Sequence, residues 1–123
     1  IGFIPPIATT QLLARLIGRP RAIRYLYDGA LVPATEALSW GLVDEVVEPA
    51  RLRTRVQAYG EELAAKSPAA LAAIRRTVTL GGGMTFEDGM AYEMDAVAAL
   101  ADTPDFAEGV TSFLEKRPPV WRR

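Results

Sequence analysis

Two groups of residues in this 123-residue chain have the types and spacing to do chemistry. The first is the apolar run Ile4-Pro5-Pro6-Ile7, which leads into Thr9 and Thr10. Proline lacks an N–H and drives the residue before it toward extended geometry, so the run forms a stiff, greasy loop ahead of a helix. Such a loop either supports its surroundings by packing, which the pattern alone favours, or lines a pocket for an apolar ligand. The second group is Lys116 with Arg117, at the end of the last helical pattern. Lys116 follows Phe113 by three residues, about 60° round a helix. That sets its ammonium at the edge of an apolar seam, where the stem packs and the charge could face an anion. A lysine favoured there by the helix dipole explains the placement equally well.

Other candidates carry less. Gly81-Gly82-Gly83 lacks the Gly-x-x-x-x-Gly-Lys-Ser/Thr spacing of a phosphate loop and comes after no strand; it reads as a flexible break. Arg15, Arg19, Arg21 and Arg24 span two short helical patterns and imitate a helix-turn-helix, but the second pattern offers no polar row to read bases. Glu36, Asp44, Glu45 and Glu48 fit a solvated rim. Histidine and cysteine are both absent, which removes most zinc sites, thiol nucleophiles and imidazole bases. No metal site is expected in this stretch. A net charge of −1 gives no basic footprint for nucleic acid. No segment reaches the ~20 apolar residues of a membrane span, so neither nucleic acid nor membrane is an expected partner. The lack of cysteine fits a cytoplasmic location. The chain opens at Ile1, inside an apolar stretch, as expected of a piece of a longer protein.

The elements that must hold these residues are mostly helical. Thr9 or Thr10 is expected to cap a first helix with Leu12, Leu13, Leu16 and Ile17 on one stripe, ended by Gly18 in the left-handed conformation. Pro20 opens a second, with Ala22, Ile23, Leu26 and Tyr27 turned inward and Gly29 closing it. Pro33 opens a brief third helix that Gly41 stops. Leu42 to Val47 then reads as a strand, rich in β-branched residues between Gly41 and Pro49. It pairs with Leu31–Val32 or joins a sheet lying outside this sequence. From Ala50 onward the pattern is helical. The expected stripes are Leu52, Val56, Tyr59 and Leu63, then Leu71, Ile74 and Val78. Phe86, Met90, Met94, Val97 and Ala101 come next, and then Phe106, Val110, Phe113 and Leu114. Ser67-Pro68, Thr85 with Asp88, and Thr103-Pro104 supply helix starts.

In order along the chain stand Ile-Gly-Phe-Ile-Pro and Thr-Gln-Leu-Leu-Ala-Arg-Leu-Ile-Gly (to position 18), and Ala-Leu-Ser-Trp-Gly-Leu-Val-Asp-Glu-Val-Val (37–47). Ala-Ala-Lys-Ser-Pro-Ala-Ala-Leu (64–71) and Glu-Gly-Val-Thr-Ser-Phe-Leu-Glu-Lys-Arg-Pro-Pro (108–119) complete the set. Together they resemble the second half of an enoyl-CoA hydratase/isomerase, of the crotonase superfamily. The resemblance implies an α/β crotonase-like fold in the full protein, with this stretch mainly α-helical and carrying one or two short strands. Residues 1–49 would be the end of the core, and residues 50–123 a C-terminal helical trimerisation region. It implies an acyl-CoA substrate handled in fatty acid metabolism, no cofactor beyond the coenzyme A thioester itself, and a homotrimer or a hexamer built as a dimer of trimers. In the family, backbone N–H groups stabilise the enolate-like oxyanion of the thioester, and in hydratases two glutamates act as acid and base. All of these lie upstream of Ile1, so the resemblance implies no catalytic residue in this stretch.

The family's Pro-Gly-x-Gly-Gly-Thr-Gln is here Pro5-Pro6-Ile7-Ala8-Thr9-Thr10-Gln11. Pro6, Ala8 and Thr9 stiffen the loop and add bulk beside the acyl pocket, which makes Ile4, Pro5, Pro6 and Ile7 the candidate substrate contacts. The resemblance also matches Lys116 to a lysine that approaches the CoA phosphates held by a neighbouring subunit. An aromatic residue that accompanies that lysine in hydratases falls here at Val97. The rival from another class is a non-catalytic helical association module, with a DNA-binding domain a remote third. An enzyme piece should leave Leu12, Leu16 and Ile23 exposed and the edge of Leu42–Val47 unpaired; a self-sufficient module should bury both.

Overall fold

The computed structural model describes residues 2–122, so Ile1 of the opening motif and Arg123 of the tail lie outside the described residues. The chain forms two compact units, residues 1–53 and 54–123.

In the first unit, the loop from Gly2 enters α1 (Thr9–Ile17), which turns at Gly18 into α2 (Arg19–Asp28). The threonines do not cap α1 as the sequence suggests. Ala8 occupies the cap position in the left-handed conformation (φ 59°, ψ 10°), and the Thr9 hydroxyl instead donates back to the Pro6 carbonyl at 2.7 Å. Gly18 has positive φ but ψ of 149°, so it makes a sharp corner, not a left-handed stop. Gly29 does close α2 in the left-handed conformation, its N–H donating to the Tyr25 carbonyl. Leu13, Ile17 and Ala22 form the core, with Tyr25, Leu26, Trp40 and Leu42 packed around it. The inner face of α2 is therefore Ala22, Tyr25 and Leu26, while Ile23 and Tyr27 are exposed. Only Leu13 and Ile17 of the α1 stripe are buried, because α2, with Trp40 and Leu42, covers only a narrow strip of α1.

The short α3 (Ala34–Ser39) comes directly after Pro33. It ends in a Schellman turn, with Gly41 at positive φ, its N–H donating to Leu38 and the N–H of Leu42 donating to Ala37. The segment Leu42–Val47 is not a strand, and no strand occurs among the described residues. Its β-branched composition supplies propensity, but a strand exists only where a neighbour completes the ladder. Leu31–Val32 does not pair with it.

A 3₁₀ turn at Pro49–Arg51 leads into α4 (Leu52–Ala64). The second unit continues with α5 (Pro68–Gly81), α6 (Phe86–Ala101) and α7 (Pro104–Glu115). Their starts are capped as expected. Ser67, Thr85 and Thr103 accept hydrogen bonds from Ala70, Asp88 and Phe106 N–H groups at 3.2, 3.1 and 3.2 Å, each worth about 1 kcal/mol. Thr85 also donates to the Asp88 carboxylate at 2.9 Å.

Which face each helix turns inward differs from the sequence reading. The α5–α6 hairpin closes where Gly81 meets Gly89, and beyond that contact Ala73 and Thr77 of α5 and Tyr92 and Ala96 of α6 are half-buried. A Cβ added at Gly89 would already touch the Gly81 carbonyl oxygen at 3.5 Å. The expected inward stripe of α6, Phe86, Met90, Met94, Val97 and Ala101, is exposed, as are Ile74 and Val78 of α5. On α7 the buried residues are polar, Asp105 and Ser112, and Phe106, Val110, Phe113 and Leu114 point outward. The glycine pair lets the two backbones meet, while Phe86, Met90 and Met94 of α6 and Ile74 and Val78 of α5 lie on the faces left exposed. The triple glycine is a hydrogen-bonded turn, Gly82 donating to the Val78 carbonyl and Met84 to that of Gly81.

Candidate functional site

The loop of the first unit lies against the end of α2. Phe3, Ile4, Pro5 and Pro6 line one wall of an open depression of about 1010 Å³; Leu26, Tyr27 and Asp28 line the other. Ile7 does not line it and is 92% exposed. The loop is under backbone strain at its end. Ile7 (φ 61°) and Ala8 (φ 59°) are consecutive non-glycine residues in the left-handed region, which a β-branched side chain resists most. Ala8, which stands where the pattern it resembles has glycine, adopts this conformation without the residue that takes it freely. Phe3 and Tyr27, which the sequence reading did not single out for this site, give the depression two exposed aromatic rings.

Lys116 belongs to the second unit. It is not on the continuing helix that the 60° argument assumes. It sits one step beyond α7, in the left-handed conformation (φ 54°, ψ 40°), and reverses the chain there. Its N–H donates to the Phe113 carbonyl and that of Arg117 to Ser112, again a Schellman turn, with lysine in the place usually held by glycine. The seam-edge placement therefore does not come from the helix; the turn sets where the lysine goes. Among the described residues no carboxylate pairs with the Lys116 ammonium.

The reversal brings Arg117 back along α7. On a continuing helix, position 117 would stand about 13.5 Å beyond position 108. Instead the guanidinium grips Glu108 with both arms, at 2.6 and 2.9 Å, and its Nε donates to Glu115 at 2.6 Å. Glu108 also accepts from the Val120 N–H at 2.7 Å. The Arg117 hydrogen bonds, with that from Val120, hold the Glu108 carboxyl well below its ordinary value of 4.5, at about 2, and Glu108 and Glu115 raise the Arg117 pKa in return. Farther along, Trp121 packs over Gly109 and donates from Nε1 to the Ala65 carbonyl at 2.8 Å. The Arg122 N–H donates to buried Asp105, whose other oxygen accepts the Ser67 hydroxyl at 2.5 Å. The tail after Pro119 is thus tied to the starts of α5 and α7. Sequence reasoning missed this clasp. Its signal was the pair of opposite charges nine residues apart in the 108–119 block, which reads as unrelated unless the turn at Lys116 is known.

Comparison with known proteins places this geometry. The corresponding part of solved crotonase folds matches the chain closely: the enoyl-CoA hydratase of Bacillus anthracis gives a TM-score of 0.94 at 32% identity, over 98% of this chain and 46% of that one. The family model described as Enoyl-CoA hydratase/isomerase matches residues 1–123, and the chain belongs to that family, within the crotonase superfamily. It is 37% identical over 113 residues to (E)-benzylidenesuccinyl-CoA hydratase of Thauera aromatica, covering 92% of this chain and 44% of that protein. It is 30% identical over 119 residues to 1,2-epoxyphenylacetyl-CoA isomerase of Escherichia coli K12, covering 97% and 45%. The chain spans about half the length of the curated relatives it matches.

Proposed function

We propose that this chain is the C-terminal part of an acyl-CoA-processing enzyme, a hydratase or isomerase acting through an oxyanion-stabilised thioester enolate. In this reading residues 1–49 end the catalytic core and residues 50–123 form the trimerisation region. The chain supplies binding and assembly groups, and the acid–base residues lie outside it, so the chain alone is inactive. Ile4, Pro5 and Pro6 shape the acyl side of the site, and Ile7, which points away from the depression, ends the loop that carries them. Lys116 meets the CoA phosphates, on a homotrimer or a dimer of trimers. The reaction needs no metal and no cofactor besides the thioester, since preorganised N–H donors suffice to hold a developing oxyanion. The enzyme works in the cytoplasm, in fatty acid metabolism.

The observation that carries this reading is where the large apolar side chains point. Leu12, Leu16 and Ile23 in the first unit are 57, 59 and 50% exposed, where a self-sufficient association module would bury them. Exposed continuous stripes of this kind mark contact surfaces. The test is to express the full-length enzyme and monitor crotonyl-CoA hydration and 3-enoyl-CoA isomerisation with EDTA present, alongside its mass in solution. Turnover of either thioester by a trimer or hexamer is expected, and Met94→Glu should lower the mass. A monomer inert toward every enoyl-CoA tried would end the proposal.

A further inference from the structure

The clasp beside Lys116 has a geometry that the turn alone does not require. A left-handed C-terminal turn is closed by its two backbone hydrogen bonds, and those are present. Yet the residues on both sides of Lys116 are also fastened through side chains: Glu115 and Arg117 are joined to each other, and Arg117 is joined to Glu108. Arg117 thereby engages the carboxylates of both Glu108 and Glu115. Glu115, the residue before Lys116, is one of these two carboxylates. Lys116 remains the cation of this turn without a carboxylate partner among the described residues. An ammonium held out at a fixed reversal, with its competing carboxylates engaged elsewhere, suits a phosphate ligand.

We propose that Glu108 and Arg117 are positioning residues for Lys116, fixing the turn that presents its ammonium and keeping neighbouring carboxylates from neutralising it. The inference rests on the reading that Lys116 meets the CoA phosphates, and it adds to that reading the pair that makes the contact possible. The Glu108→Gln variant of the full-length enzyme is diagnostic because charge and position push it in opposite directions. Removing a negative charge near a phosphate would, by Coulomb attraction alone, tighten binding of the CoA ester. Loss of positioning would weaken it.

The readout is kcat/KM for an enoyl-CoA divided by kcat/KM for the same enoyl group on pantetheine, which has no phosphate. Exposed charge contacts of this kind are worth about 1.5- to fivefold, so Lys116→Ala is expected to lower the ratio by that factor. Glu108→Gln should lower it comparably, and the double variant no further than Lys116→Ala alone, since the two would act through one contact. Arg117→Lys keeps the charge but not the two-armed grip, and should also lower the ratio, which preserves the test if Glu108→Gln folds poorly. A ratio unchanged or raised in Glu108→Gln and Arg117→Lys, with Lys116→Ala lowering it, overturns the positioning role and leaves the phosphate contact standing. A wild-type ratio in Lys116→Ala overturns both.

Discussion

Lys116 carries two separable loads, and a pair of substitutions divides them. Its backbone is left-handed (φ 54°, ψ 40°), a conformation that costs an L-residue roughly 1–2 kcal/mol. Glycine adopts it freely, but an unfolded glycine has more freedom to lose, roughly 0.5–1 kcal/mol. The net expectation for Lys116→Gly is a gain of about 0.5–1 kcal/mol. Lys116→Ala keeps the Cβ and its clash, so it should gain nothing. The side chain is exposed, so neither change removes buried area. In a domain of roughly 150–250 residues that gain appears as a rise of about 1–4 °C in melting temperature. Function should sort the variants the other way. Both lack the ammonium, so both should raise KM for CoA esters about 1.5- to fivefold, with kcat moving far less, the signature of a contact made equally in ground and transition states. Thermal unfolding and steady-state kinetics on the same three proteins decide the matter. A glycine variant no more stable than the alanine one refutes the strain. Unchanged KM in both refutes the phosphate contact. A KM restored by glycine would mean that the backbone, not the charge, is what substrate binding senses.

The same geometry sets two further outcomes. Ala8→Gly should stabilise the protein by about 0.5–1 kcal/mol, because Ala8 is left-handed at φ 59°; chemical unfolding measures it, and a loss of stability would contradict the strain. Glu108 is held at about 2 against an ordinary 4.5. Its contribution is therefore complete above about 4.5 and lost as pH falls toward 2, so the stability difference between wild type and Glu108→Gln should shrink across that window. A difference that stays constant from pH 5 to 2 would show that the ion pair does not hold the fold.

The helix starts were legible because they are local. Ser67, Thr85 and Thr103 each cap a helix through an N–H only three residues on, and Gly29 and Gly41 stop helices through their own backbones. The features that were not legible depend on distant neighbours. The spacing of Phe86, Met90, Met94 and Val97 correctly marks an apolar face of α6, but periodicity says only that a face is buried somewhere, not against which partner. The contact with α5 is made instead by Gly81 against Gly89, with Tyr92 and Ala96 on the same side, where small residues permit close approach. A helix apolar on both a small-residue and a large-residue face is built for neighbours on two sides, and the larger face is the one left exposed here. Leu42–Val47 failed as a strand for the same reason: its propensity is its own, but its ladder is not.

The strain itself bears on where the site lies. Among the described residues, Ile7, Ala8 and Lys116 are the non-glycine residues with positive φ. Ile7 and Lys116 stand out from sequence and resemblance, and Ala8 adjoins Ile7; none of the three stands out for its backbone until the structure is seen. Left-handed conformations at alanine, isoleucine and lysine each carry a penalty that a glycine at the same position would remove, and such penalties gather where a conformation serves binding or catalysis. At Ala8 the family pattern has that glycine, and this chain does without it; at Lys116 glycine would relieve the turn and delete the charge. The two segments therefore share one physical trade, stability given up for a side chain held where the backbone would rather have none. The Ala8→Gly and Lys116→Gly variants make that trade measurable at both ends of the chain, since each should gain stability, and the second should lose affinity for the phosphate-bearing substrate.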